Sequence, residues 1–176
     1  MTDREFADNL NLIRNGDKTG LKAIYEEYIT YVYSVVFSYL KSKEDAEDIT
    51  SDFFIKFFKN PPEYRPGSGH KGFIATIARN MAVDHIRKRS HEDLTDEFEE
   101  KGIVPDTKSA EDEAVGQLGY DEAVAMLKPP EPEIINMKLM GDLSFKEIAE
   151  ILKMPMGTVT WHYRKAIEKL RGIVTA

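Results

Sequence analysis

The chain has 176 residues, 41% of them apolar, and no cysteine, which allows one domain or two small ones with a packed core and excludes disulfides, thiolate metal sites and a disordered chain. The net charge of −7 argues at first against a nucleic-acid partner. Yet ten acids between His91 and Glu113 are opposed only by Lys101 and Lys108, so that segment holds −8 and the remainder sits at +1.

Thr2, with Glu5 three residues on, is a capping box and predicts a short helix to about Arg14, ended by Asn15, Gly16 and Asp17. These first residues lack the basic and apolar regions of a secretory signal, and no apolar run reaches the ~20 residues of a membrane span. A cytoplasmic protein is expected. From Lys18 to about Leu40 the spacing predicts one long helix, with Leu21, Ile24, Tyr25, Tyr28, Val32, Val35, Val36 and Tyr39 as its stripe.

Ser42 caps a third helix, in which Ile49, Phe53 and Phe57 face inward with Phe54 and Phe58 beside them. Glu44, Asp45, Glu47, Asp48 and Asp52 crowd its first turns. Acids there complement the helix dipole, which composition alone favours, or they form an acidic docking face with an apolar rim for a partner protein. Asn60, Pro61 and Pro62 stop the helix, and a Pro- and Gly-rich loop follows over residues 63–69. A fourth helix spans 71–89, packing through Ile74, Ile77, Ala78 and Met81 and ending in Arg87, Lys88 and Arg89. Its basic end suits the dipole, but bases near the rings of Tyr64 and Phe73 also suit a single strand, where rings stack on bases and cations meet phosphates. Both readings stand on these residues.

Residues 90–113 show no periodicity and read as an acidic linker. A helix over 114–128 is followed by Pro129, Pro130 and Pro132, which start another that Gly141 ends. Ser144 and Glu147 form a second capping box, with Ile148, Ile151 and Leu152 as an apolar face. Pro155 and Gly157 break the pattern, and a last helix begins near Thr158. Its back is Val159, Tyr163, Ala166, Ile167 and Leu170; its front carries Thr160, Trp161, Arg164 and Lys165. This is a helix-turn-helix with a basic front fit for a major groove, or a plain helical hairpin with solvated cations. No strand and no internal repeat is expected, and the four His residues show no metal-ligand spacing, so no enzyme and no cofactor is expected.

Together these segments resemble an extracytoplasmic-function sigma factor. KSKEDAEDITSDFFIKFFKN is similar to the helix with which that family docks on RNA polymerase, and GFIATIARNMAVDHIRKR to its promoter-melting helix. The segment from Leu127 to Arg171 resembles its C-terminal helix-turn-helix domain almost continuously. The resemblance implies an all-α protein of two small helical domains, residues 1–90 and 114–176, joined by a flexible acidic linker over 91–113. It implies core RNA polymerase and promoter DNA as partners, and an anti-sigma factor as the family's common regulator. By the same resemblance, Asp45, Asp48, Asp52 and Phe53 contact polymerase. Tyr64, Phe73, Arg79, Asn80, Arg87 and Lys88 capture the melted minus-10 strand. Thr158, Thr160, Trp161, Arg164 and Lys165 read the minus-35 duplex, and the linker threads toward the polymerase's RNA path. The chain departs from the family at Ser51-Asp52, where Gln-Glu is frequent, at Phe73 in place of Trp, and at Trp161-His162 in place of a small residue and Arg. An indole at 161 either meets a sugar or a thymine methyl, or turns inward. The alternative is a helix-turn-helix regulator that binds duplex DNA without polymerase; an interaction protein that binds polymerase without reading DNA is a further one.

Overall fold

The computed structural model describes residues 1–96 and 118–174. These form α1 (Asp3–Arg14), α2 (Lys18–Leu40), α3 (Lys43–Lys59), α4 (His70–Asp96), α5 (Leu118–Ala125), α6 (Glu131–Leu139), α7 (Phe145–Leu152) and α8 (Met156–Val174). No strand occurs among the described residues.

Local chemistry sets the helix starts. The Thr2–Glu5 and Ser144–Glu147 boxes both close reciprocally, each side chain meeting the other residue's backbone N–H. Asp17 caps α2 through Thr19 N, and the Ser42 hydroxyl accepts from Asp45 N at the head of α3. α2 and α7 end on Lys41 and Lys153, both in the left-handed region at φ 54° and 53°. Two ends differ from the sequence expectation. α4 runs past Arg89 to Asp96, since the residues after it hold neither Pro nor Gly and Ser90 Oγ bonds back to Ile86 O at 3.0 Å. α8 starts at Met156, one residue after Pro155, where a proline's missing N–H costs nothing. Most of the expected linker lies outside the described residues, and residues 91–96, expected to belong to it, continue α4.

The long second helix is buried more completely than one stripe requires. Tyr31, Val32, Ser34, Val35, Val36, Phe37 and Ser38 are all buried, so its second half is covered on several sides. α1, α3 and α4 pack on it from the N-terminal half of the chain, and α6 packs on it from the C-terminal half. Ser34 and Ser38 satisfy their hydroxyls on Tyr31 O and Val35 O, at 2.7 and 2.6 Å. Tyr25 leaves the expected stripe: it is 42% exposed and lies edge-on to Phe54.

The main core therefore crosses the domain boundary. Phe6, Leu10, Ile24, Phe53, Phe57, Ile74 and Ala78 form one cluster with Ile134, Met137, Leu143, Ile148 and Val159. A smaller cluster of Leu127, Ile135 and Ala166, flanked by Tyr163, Ile167 and Leu170, belongs to the C-terminal helices alone. Polar contacts line the junction. Asn136 Nδ2 donates to Ser34 O at 2.7 Å in a buried setting. Tyr39 donates to Glu133 at 2.7 Å and accepts from Arg79 Nε at 3.0 Å. Burial and the Glu133 charge push the Tyr39 hydroxyl up, which keeps it a donor. Burial also raises the Glu133 carboxyl, against the pull of Tyr39 and Arg79.

Candidate nucleic-acid interface

Two exposed faces carry the candidate chemistry. The first is on α8. Val159 and Ala166 are fully buried and Tyr163 packs its ring edge-on against Phe145 of α7, which fixes the helix's rotation. The opposite side is left to solvent. Trp161 is 55% exposed, with Arg164 and Lys165 exposed beside it. The indole has therefore turned outward; its face is covered by the Lys165 ammonium at 4.6 Å and its edge by the His162 ring at 4.7 Å. Thr158 and Thr160 are half-buried, and the Thr160 hydroxyl donates to Gly157 O at 2.9 Å. Lys153, Met154 and Pro155 form the three-residue turn between α7 and α8. The geometry is that of a helix-turn-helix whose second helix presents an aromatic and two cations.

The second face runs along α4. Phe73, Asn80 and Arg87 recur every seven residues and so share a stripe, which spans roughly 21 Å at the α-helical rise. Asn80, Arg87 and Lys88 are exposed, and Arg87 pairs loosely with Asp84 at 3.8 Å. At the head of the stripe Phe73 packs against Tyr64 from the preceding loop, centroid to centroid 5.1 Å. The structure thus brings together two aromatics that lie nine residues apart. Burial and the hydrogen bond to Asp3 push the Tyr64 hydroxyl up to about 12.

Three expected residues stand differently. Phe53 is 1% exposed and stacks on Phe57 inside the core, so it is not a surface contact. Asp48 and Asp52 are exposed on α3, with Ile55 next to them at 51% exposure. Asp45 is half-buried and turned toward α4, where it pairs with Arg89 at 2.9 Å and lies 3.8 Å from His85. Arg79 is half-buried and spent on Tyr39, at the junction with the C-terminal helices, instead of lying on the exposed stripe. Ile55 had no place in the sequence expectation. Its i+3 and i+7 spacing from Asp52 and Asp48 was the available signal, hidden by its apolar character.

Comparison with known proteins agrees with this geometry. Residues 24–92 match the model of sigma-70 region 2, and residues 117–170 that of sigma-70 region 4, leaving α1 outside both. The chain is 28% identical over 171 residues to the ECF RNA polymerase sigma factor SigW of Bacillus subtilis, covering 90% of this chain and 91% of that one. It is 26% identical to the ECF sigma factor BldN of Streptomyces coelicolor over 90% of this chain and 62% of the other. In fold it is similar to the sigma factor RpoE of Bartonella quintana, solved in complex with the anti-sigma factor NepR, with a TM-score of 0.67 at 20% identity over 90% of this chain and 98% of that one. With region 2 spanning most of α2 to α4 and region 4 covering α5 to α8, the chain belongs to the sigma-70 family, as an RNA polymerase sigma factor of the extracytoplasmic-function class.

Proposed function

We propose that this sigma factor divides promoter reading between the two exposed faces. Residues 1–90 dock on core polymerase and hold the melted minus-10 strand, and residues 114–176 read the minus-35 duplex. The observation that carries the reading is α8: a buried apolar back and an exposed front of Trp161, Arg164 and Lys165 on the second helix of a helix-turn-helix. In the groove, Arg164 would donate to a base edge and Lys165 would leave the indole for a phosphate, freeing the Trp161 face for a thymine methyl or a sugar. Thr158 and Thr160, half-buried at the helix start, supply hydroxyls to the backbone. On α4, Tyr64 and Phe73 supply rings for unstacked bases, Asn80 hydrogen-bonds a base edge, and Arg87 and Lys88 meet phosphates. Arg79 joins that set only where its contact with Tyr39 is given up. Polymerase contact falls to Asp48, Asp52 and Ile55, with Asp45 anchoring the basic end of α4.

The neighbour solved with an anti-sigma factor supports a protein regulator for this chain too. Among the described residues no helix is long and apolar enough to cross a membrane. The test is run-off transcription from a library of promoter-like duplexes with core polymerase. Transcripts that start at defined positions only when the chain is present are the expected result. Specific duplex binding by the chain alone, with no dependent transcript, favours the regulator that works without polymerase.

A further inference from the structure

We propose that α1, which lies outside the family-matched residues, is the positioning element of the minus-10 reader, and that Asp3 is the residue that sets the loop carrying Tyr64. The inference rests on the proposed reading of Tyr64 and Phe73 as strand-capturing rings.

The loop over residues 60–69 is held by α1 at both ends. At its start, Arg14 Nη2 donates to Pro62 O at 2.5 Å. At its finish, the single Asp3 carboxylate gathers four donors. Oδ1 accepts the Tyr64 hydroxyl, His70 N at 2.8 Å and His70 Nδ1 at 2.9 Å, while Oδ2 accepts Gly67 N. The far side of the His70 ring is fixed in turn, with Nε2 2.6 Å from the Tyr28 hydroxyl of α2. Between the two ends Phe6, fully buried, sets its ring 5.0 Å from that of Tyr64 and 5.1 Å from that of His70.

Such fastening answers a specific need. Gly67 and Gly69 stand at φ +91° and +84°, and two such glycines give the loop many backbone states to lose. Tyr64 is useful to a captured base only if its ring stays against Phe73. Apolar packing alone tolerates sliding, whereas four directed hydrogen bonds to one carboxylate fix both the hydroxyl and the backbone around it. α1 is also anchored to the bundle apart from this carboxylate, by burying Phe6, Ala7 and Leu10. The carboxylate acts on the loop, and through the loop on the position of Tyr64.

The experiment is promoter selection with core polymerase and the full chain, from duplexes randomised over the upstream element, the downstream element, or both. Asp3→Asn keeps the size of the side chain but turns one acceptor oxygen into a donor facing Gly67 N. The expected result is a loss of preference of about tenfold at one or more positions of the downstream melted element, the discrimination of roughly one base, with upstream preference unchanged. A purely structural role lowers transcript yield and leaves both preferences as they are, and that result overturns the inference. Equal relaxation of both elements overturns it as well. If circular dichroism shows that Asp3→Asn does not fold, Arg14→Ala decides by the same readout, since it frees the loop's other end from an exposed position. A wild-type chain that selects no downstream element defeats the strand-capture reading itself, which is a separate failure.

Discussion

At the scale of single residues, Arg164 carries the plainest test. It is exposed, one helical turn from Trp161, and forms part of the front that the buried Val159 and Ala166 hold outward. Arg164→Ala should cost ~1–3 kcal/mol of upstream-duplex affinity if it donates to a base edge. Trp161 is the sole tryptophan of the chain, so its emission reports that binding without a label. Equal titration curves for both proteins would remove Arg164 from the reading set. Asp3 offers a second test, in pH. Burial raises its carboxyl, but the hydrogen bonds from Tyr64, Gly67 and His70 outweigh this and hold it well below the ordinary carboxylate range. The folded state therefore binds this proton more weakly than the unfolded chain, whose Asp titrates near ~3.9. The stabilisation is fully present above that value and fades as pH falls below it toward the lower folded value. The stability gap between wild type and Asp3→Asn, measured by urea unfolding, should be constant from pH 7 to about pH 5 and narrow from about pH 4 downward. A gap that holds steady to pH 2 would show that the carboxylate's charge is not what the four donors recognise.

At the scale of elements, close approach matters more than propensity. Gly20 lies in the first turn of α2, where a Cβ would fall into the Asn9 carbonyl and against the Leu12 side chain of α1. Gly20→Ala gains up to ~1 kcal/mol of helix propensity but forces the α1–α2 contact apart, an overpacking cost of ~1–3 kcal/mol. Net destabilisation in thermal unfolding is expected; a raised midpoint would mean that the two helices are not packed this closely. The capping boxes, the Pro and Gly breaks and the 3.6-residue stripes made nearly every helix readable, because each is a local rule acting within one or two turns. What the sequence did not disclose depended on partners far along the chain. Tyr25 obeyed the stripe spacing of α2 yet faces out, since the bundle that selects the buried face is built by α1, α3 and α4. Phe53 sat among docking acids in sequence but one residue's rotation on α3, 100° of helix, separates Asp52 in solvent from Phe53 in the core. Asp3 looked like an ordinary acid in the first turn of a helix. Its four donors lie 61 to 67 residues away, and no local spacing announces them.

At the scale of the whole molecule, two sigma regions share one core, and polar groups lie within the junction between them. Asn136 is 0% exposed and reaches from α6 to Ser34 O of α2. A few residues away Tyr39 joins Glu133 of α6 to Arg79 of α4. A purely apolar junction would gain stability from each Å² covered, whereas polar groups buried in pairs contribute little net and cost much when one partner is lost. Breaking a pair therefore weakens the junction by more than the pair's net contribution, which would suit the proposed division of promoter reading between the two halves. Asn136→Ala removes the amide that donates to Ser34 O, at a cost of ~0.5–1.5 kcal/mol, and Tyr39→Phe removes the hydroxyl that donates to the half-buried Glu133 carboxylate, at a cost of ~1–3 kcal/mol. Because the smaller cluster of Leu127, Ile135 and Ala166 belongs to the C-terminal helices alone, and α1 to α4 keep their own apolar centre, each half has a core to fall back on. Wild type should unfold in a single calorimetric transition. The double variant should show two, together with a larger radius of gyration by small-angle scattering before either. One transition and an unchanged radius in the double variant would mean that apolar contacts alone hold the halves together, and that Arg79 stays covered whatever becomes of Tyr39.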